Sequence, residues 1–279
     1  MSSGFSGMWR DSEGPAASLR LKVKTVGLFG AREYNPPCLE SGPDRDKRQA
    51  YFRGVAATMF DFSGIKAVIF DIDGTLMDSV GRIIKTMQLS CRELGIPESE
   101  AGAVKNVIGL SLREVSEKLL PEATPDVRLA LVAAYRKNYT LLEDREPTEL
   151  FRDAVPFLRE LRRRGFLVGL ATGKSRKGCR RVLEGYGLSQ YVDVSVAGDE
   201  FLSKPAPDML LAAAGMLRLP VASCLMVGDS ELDLVMAERA GMPGAGVLTG
   251  VHDRERLASC HPIVIAENLT ELRNLLLGQ

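Results

Sequence analysis

The chain has 279 residues, of which 45% are hydrophobic and 26% are charged, a composition typical of a globular protein with one large domain or two smaller ones. Its 36 basic residues are balanced by 36 acidic residues, and no apolar run approaches the roughly 20 residues that span a bilayer, so we expect no nucleic-acid or membrane partner. Five cysteines without a Cys-x-x-Cys pair favour neither a disulfide framework nor a zinc site, and they predict a cytoplasmic protein in a reducing compartment.

Residues 1–58 differ in composition from everything that follows. Pro, Gly, Ser and charged residues recur there, and the one apolar fragment, Val23–Phe29, is short. Such a segment buries too little apolar surface to offset its ordering entropy. The segment has six acidic and nine basic residues, which does not fit the acid-poor pattern of a transit peptide. We expect either a disordered tail, to which we assign no function, or an over-extended sequence whose real start is Met59.

A predicted strand that ends in two carboxylates follows within residues 65–79. Ala67–Phe70 are four apolar residues in a row, and the chain continues Asp71-Ile72-Asp73-Gly74-Thr75. A short apolar run is typical of a buried strand in a parallel sheet, whose carboxyl ends are where ligands bind. Side chains two residues apart on an extended chain point the same way, so Asp71 and Asp73 can converge on one pocket. On this motif alone, the alternative is that Asp71 and Asp73 only cap the turn or helix that follows.

The next part of the chain, residues 80–150, is helical in pattern. Apolar residues at helical spacing between Ile83 and Leu94 predict one helix, which ends near Gly95. Further helices are predicted over 104–120 and 127–139. Because this block directly follows the first strand, we expect it to lie over the carboxyl end of the sheet as a lid.

Strands and helices alternate from residue 151 onward. The predicted helices cover 151–164, 176–186, 208–217, 231–240 and 269–277, and the predicted strands cover 167–171, 191–197, 223–227, 246–248 and 263–265. Alternation of this kind indicates an α/β fold with a doubly wound parallel sheet. We therefore expect a Rossmann-like core from residues 65–79 and 151–279, with residues 80–150 inserted as an all-helical cap domain.

Polar residues follow several of these strands and suggest a chemistry. Asp71, Asp73, Asp229 and Asp233 supply hard oxygen ligands, which suit Mg²⁺ better than zinc or copper. Aspartate is also a competent nucleophile toward phosphorus and forms an aspartyl-phosphate. The carboxylates therefore predict metal-assisted phosphoryl transfer.

Donors for a phosphoryl group accompany the carboxylates. Thr172 offers a hydroxyl, Gly173 a main-chain amide and Lys204 an ammonium group. Phosphoryl transfer mainly requires positioning and charge neutralisation, which these groups would provide. Taken singly, Thr172 can instead be read as a helix N-cap and Lys204 as a solvated loop lysine.

In order and spacing, these residues resemble the four motifs of the haloacid dehalogenase (HAD) superfamily. The motifs are Asp71–Thr75, Thr172, Lys204 and Gly228–Asp233, and the resemblance covers about residues 65–279. The inserted helices are similar to the small helical cap of that superfamily. The segments 76–79 and 203–208 resemble the phosphoglycolate phosphatase group within it.

The resemblance implies a role for each matched position. Asp71 would be the nucleophile and a Mg²⁺ ligand. Asp73 would protonate the leaving oxygen and then act as base on water, with its main-chain carbonyl on Mg²⁺. Thr172 and the Gly173 amide would hold the phosphoryl group, and Lys204 would neutralise it.

Two further positions complete the implied metal site. Asp229 would bind Mg²⁺ directly, and Asp233 would bind or orient it, although Asp233 alone also fits a helix-dipole role. We read Asp78 and Ser79 as a helix cap. The resemblance places substrate specificity in the cap, near Gly109–Arg113.

The expected function is hydrolysis of a small phosphorylated metabolite by a monomer or homodimer, with phosphoglycolate favoured by resemblance alone. Haloalkanoate dehalogenation is disfavoured, because dehalogenases of this superfamily lack the second aspartate of the first motif, here Asp73. A phosphosugar mutase or a pyrophosphatase of the same fold remains an alternative. A receiver-like signalling domain is a weaker alternative, since receivers lack the helical insertion.

Overall fold

A computed structural model describes residues 61–278, and six parallel strands form the sheet at their centre. The strands are β1 (Ala67–Phe70), β2 (Leu167–Thr172), β3 (Val194–Ala197), β4 (Cys224–Gly228), β5 (Gly244–Val247) and β6 (Val264–Ala266). The α-helices of the described part are α1 (Val80–Glu93), α2 (Ala101–Lys105), α3 (Leu112–Leu119), α4 (Pro125–Arg145), α5 (Ala154–Arg163), α6 (Arg176–Gly185), α7 (Asp208–Leu217), α8 (Glu231–Ala240), α9 (Arg254–Ala258) and α10 (Leu269–Leu277). The prediction for residues 1–58 lies outside the described residues.

The strand order is β3-β2-β1-β4-β5-β6, which confirms the predicted doubly wound sheet. Phe70 at the end of β1 pairs with Leu170 on one side and with Val227 on the other. The direction of winding therefore reverses between β1 and β4. Ligands of open α/β sheets bind at the carboxyl ends of the strands at such a reversal.

The sheet is buried on both faces, and β1 explains why its sequence is a continuous apolar run. Val68 and Phe70 face a core that includes α5, α6 and α10, whereas Ala67 and Ile69 face a second core with α7 and α8. On the first face, the ring of Phe157 in α5 meets Phe70 edge to face, with centroids 5.6 Å apart. Such a pair contributes about 1 kcal/mol beyond its buried area.

Helices α1–α4 lie between β1 and β2 in the chain and have an apolar cluster of their own. Its buried members are Met87, Cys91, Val104, Val107, Leu110, Val115 and Leu131. The insertion is helical, as predicted, but the single helix expected over 104–120 is wrong. Residues 106–111 form a loop instead, because Gly109 has a φ of +100° and the Ser111 hydroxyl accepts the amide of Glu114 to begin α3.

The other elements agree with prediction to within a few residues, except that α4 continues six residues beyond its predicted end at 139 and that α9 was not predicted. This helix has only five residues, too few for an apolar period to be visible. Within residues 61–278, the structure contains no helix with the length and apolar character needed to span a bilayer.

Candidate active site

Three carboxylates meet at the carboxyl end of the two central strands. Asp71 follows β1, Asp229 follows β4, and Asp233 lies in the first turn of α8. Their side chains are buried, and one oxygen of each lies within 4.8 Å of those of the other two. The sheet fixes the position of Asp71, since its main-chain amide donates to the Val227 carbonyl at 2.9 Å.

Small residues and hydrogen bonds hold Asp229 in this cluster. The Thr75 hydroxyl donates to Oδ1 at 2.7 Å, and the Val251 amide donates to Oδ2 at 2.8 Å. A Cβ at Gly74, whose φ is +85°, would lie 2.4 Å from Oδ2, and a Cβ at Gly250 would lie 1.8 Å from it. Only glycine therefore allows the backbone to approach this carboxylate so closely.

Lys204 is fully buried and joins two of the carboxylates. Its Nζ lies 2.6 Å from Oδ1 of Asp71 and 2.6 Å from Oδ1 of Asp233, so the alternative of a solvated loop lysine is wrong. Asp233 also caps α8, because its Oδ2 accepts from the hydroxyl and the amide of Ser230. Burial alone would lower the pKa of Lys204, but the carboxylates of Asp233 and Asp71 outweigh burial and raise it.

The cluster has too little positive charge for its carboxylates. Burial raises the pKa of Asp71 to about 7, against the opposing effect of Lys204 and with the help of Asp233 and Asp73. Burial, together with Asp233 and Asp71, also raises the pKa of Asp229. Three buried carboxylates around one ammonium group form an all-oxygen donor set that fits a hard divalent cation.

Asp73 is not a member of this group of three carboxylates, and its side chain contacts Ser79 and Lys174, the second of which the sequence did not identify. Its Oδ1 lies 2.7 Å from the ammonium of Lys174 and accepts the Ser79 hydroxyl at 2.6 Å. The reading of Ser79 as a helix cap is thus wrong for its side chain, which makes no capping bond to α1. No motif pointed to Lys174, because its partner is 101 residues earlier in the chain.

Thr172 is the last residue of β2, beside β1 in the sheet, and Gly173 follows it. Thr172 is buried, and its hydroxyl oxygen accepts the amide of Lys174 at 3.2 Å. The alternative that Thr172 caps the next helix is wrong, because Ser175 caps α6 through the amide of Gly178. A Cβ at Gly173 would lie 2.4 Å from the carbonyl oxygen of Gly109, so the insertion contacts the core here.

A cavity of about 1110 Å³ lies between the inserted helices and the core, and Asp73, Gly173 and Lys174 form part of its wall. The loop residues Gly109–Arg113, expected to set specificity, also line it. The Ser111 amide donates to the Ser203 hydroxyl at 2.8 Å across the boundary. The insertion and the strand ends therefore border one space, and Asp73 is the site carboxylate that faces it.

The chain is similar in sequence and structure to known hydrolases and phosphatases. A family model described as haloacid dehalogenase-like hydrolase matches residues 68–247. The chain is 32% identical to a protein of Dickeya dadantii named "Probable phosphatase IndB", over 74% of this chain and 90% of that protein. It is 30% identical to the phosphoglycolate phosphatase of Yersinia pestis, over 77% of this chain and 94% of that enzyme. Among solved structures, a hydrolase from Pseudomonas syringae superimposes on this chain with a TM-score of 0.70. The two sequences are 26% identical, and the superposition covers 76% of this chain and 98% of that one.

Proposed function

The chain belongs to the haloacid dehalogenase-like hydrolase family, and we propose that it is a Mg²⁺-dependent phosphatase that hydrolyses a small phosphomonoester through an aspartyl-phosphate. The observation that carries this proposal is the buried cluster of Asp71, Asp229 and Asp233 around Lys204. Such a cluster combines a nucleophile toward phosphorus with an oxygen donor set for a hard cation. The phosphatases among its relatives support the same reading.

Asp71, Asp229 and Asp233 would hold the metal ion, with the main-chain carbonyl of Asp73 as the further ligand that the family pattern predicts. A bound Mg²⁺ supplies positive charge that neutralises the phosphoryl oxygens during transfer. Lys204 would add its ammonium charge to the same group, since it already contacts Asp71.

The chain's own residues account for two chemical steps. In the first, a carboxylate oxygen of Asp71 forms a bond to phosphorus, the bond from phosphorus to the leaving oxygen breaks, and Asp73 gives that oxygen a proton. In the second, Asp73 takes a proton from a water molecule that attacks phosphorus, and the carboxylate of Asp71 departs. Inorganic phosphate is released, and both aspartates return to their starting states.

The remaining predicted residues bind and enclose the substrate in this proposal. The Thr172 hydroxyl and the Gly173 amide would hold phosphoryl oxygens at the end of β2. Residues 80–150 would act as a cap on the core formed by 65–79 and 151–279. Opening would admit the substrate, and closure would exclude bulk water so that Asp73 controls the proton.

Phosphoglycolate is the first substrate to test, because several relatives carry the name phosphoglycolate phosphatase. Pyrophosphate, sugar phosphates and nucleoside monophosphates are the other candidates. A phosphosugar mutase would use the same first step but return the phosphoryl group to the substrate.

The test is phosphate release from a panel of these compounds, with Mg²⁺ and with a chelator. One Mg²⁺-dependent substrate hydrolysed well above the others would support the phosphatase. A phosphorylated sugar that is isomerised without release of phosphate would favour the mutase. A long-lived phosphoprotein without any release would contradict hydrolysis.

A further inference from the structure

Lys174 places its ammonium group inside the candidate site, although no motif assigns it a role. Its side chain is 11% exposed, and its Nζ lies 2.7 Å from Oδ1 of Asp73. Its main chain is fixed on both sides, since its amide donates to Thr172 and its carbonyl accepts the amide of Gly198 at 2.9 Å. The ammonium therefore projects from a rigid strand end rather than from a free loop.

The opposite side of the same ammonium faces the inserted helices. Nζ lies 5.0 Å from the ring centroid of Tyr139 in α4, within the range of a cation–π contact, and 3.4 Å from its hydroxyl. Tyr135, one turn earlier, packs against Tyr139 with ring centroids 5.9 Å apart. Lys174 is thus shared between Asp73 of the core and an aromatic pair of the insertion.

Both donors to Asp73 use the same carboxylate oxygen. Within residues 61–278, the hydrogen bond from Ser79 and the ion pair with Lys174 both go to Oδ1, so the carboxylate is anchored on one side and Oδ2 is left for a substrate oxygen or a water molecule. An acid–base group must be held within hydrogen-bond reach of the atom it serves, and a shift of about 1 Å can reduce the rate about 100-fold.

We propose that Lys174 is a positioning residue that orients the carboxylate of Asp73 for proton transfer and that Tyr139 holds Lys174 in place when the insertion covers the site. This inference rests on the proposed function, in which Asp73 is the acid and base. It links the position of the insertion to the chemistry, because withdrawal of α4 removes one of the two groups that fix the ammonium.

The test compares Lys174→Met with the wild-type protein on two substrates whose leaving groups differ. 2-Phosphoglycolate, or whichever alkyl phosphate of the panel the wild type hydrolyses, needs a proton on its leaving oxygen. p-Nitrophenyl phosphate does not, because nitrophenolate is a stable anion. The value of kcat/KM reports the steps up to loss of the leaving group, so it isolates the acid role of Asp73.

We expect Lys174→Met to lower kcat/KM for the alkyl phosphate by about 30-fold to 100-fold and for p-nitrophenyl phosphate by less than about threefold. The loss should appear in kcat rather than in KM. Lys85→Met, the same substitution at an exposed lysine of α1, is the matched control and should change neither value. Equal losses on both substrates would overturn the proposal in favour of a structural role, and wild-type values on both would overturn it outright.

Tyr139→Leu provides a second variant that leaves the Asp73–Lys174 pair intact. We expect a smaller loss with the same dependence on the leaving group, and little further loss when it is combined with Lys174→Met, because both changes affect one arrangement. Fully additive losses would overturn the role given to Tyr139. Failure of the proposed function is distinguishable, since the wild-type protein itself would then release no phosphate in the presence of Mg²⁺.

Discussion

The strand-end cluster and the inserted helices are fixed in different ways. Asp71, Asp229 and Asp233 are buried, follow central strands or begin a helix packed on them, and make hydrogen bonds and ion pairs of 2.6 to 3.2 Å. The insertion meets the core through separate contacts, such as Ser111 with Ser203 and Tyr139 with Lys174. Its two connections to the core pair with each other, since the main-chain amide of Asp78 donates to the carbonyl of Glu149 at 3.0 Å.

This difference indicates separate roles, with the chemistry at the cluster and substrate access at the insertion. In the proposed function the insertion opens and closes over the site, whereas a cluster built on the central strands would stay in place. Changes in the cluster should therefore abolish turnover, whereas changes at the boundary should alter substrate binding and the timing of closure.

Asp71→Asn should reduce kcat by about a thousandfold or more, because an amide oxygen is a poor nucleophile toward phosphorus. The variant should keep the melting temperature of the wild type to within a few degrees. Asp78→Asn, an exposed aspartate of the same segment, is the control and should remain active. Substantial turnover by Asp71→Asn would remove the basis of the mechanism.

Mg²⁺ should stabilise the folded protein by binding to the carboxylate cluster. At about 100 times its dissociation constant, the ion should add about 2.7 kcal/mol to the free energy of unfolding. Asp229→Asn should abolish most of this gain together with at least about 99% of activity, whereas Asp144→Asn on the exposed side of α4 should keep both. Thermal melting with Mg²⁺ and with a chelator measures the effect, and an unchanged gain in Asp229→Asn would place the metal elsewhere.

Gly173→Ala tests the boundary between core and insertion. The new Cβ would overlap the carbonyl oxygens of Gly109 and Leu110, at 2.4 and 2.7 Å, so the loop must retreat. We expect kcat/KM to fall about tenfold, with a larger change in KM than in kcat. Gly185→Ala, at a helix position with nothing within 4 Å, is the control and should be slightly more stable than the wild type. Normal kinetics in Gly173→Ala would show that this contact is not needed for closure.

Ser203→Ala removes one hydrogen bond between the two regions. A bond of this kind contributes about 1 kcal/mol, so KM should rise up to about fivefold while kcat stays near the wild-type value. Ser189→Ala, at an exposed position, serves as the control. A large loss of kcat in Ser203→Ala would mean that Ser203 belongs to the chemistry and not to the boundary.

The core of the fold could be predicted from sequence because its signals are local. The bounds of α7 and α8 agree with prediction to the residue, since each has a clear start and a clear end such as Gly241 after α8. The inserted helices were harder, because the apolar spacing from Val104 to Leu120 continues across a loop that Gly109 introduces. A glycine followed by serine two residues later was the available signal for that break.

The residues of the candidate site also differ in whether the sequence could predict them. Residues directly after strands, such as Asp71 and Asp229, could be predicted to converge because parallel strands end at one edge of the sheet. Lys174 could not, since its significance depends on contacts with Asp73 and Tyr139 that only tertiary packing creates. Ser79 was predicted to be a helix cap because no sequence pattern indicates that its hydroxyl points toward Asp73.

The most direct test of the central claim is the time course of nitrophenol release by Asp73→Asn from p-nitrophenyl phosphate in the presence of Mg²⁺. This variant keeps the nucleophile but lacks the base for the second step. We expect a rapid release of one nitrophenol per protein molecule, followed by slow turnover, with the phosphoryl group on the peptide that contains Asp71. Linear release without this burst, or a phosphoryl group on another residue, would contradict it.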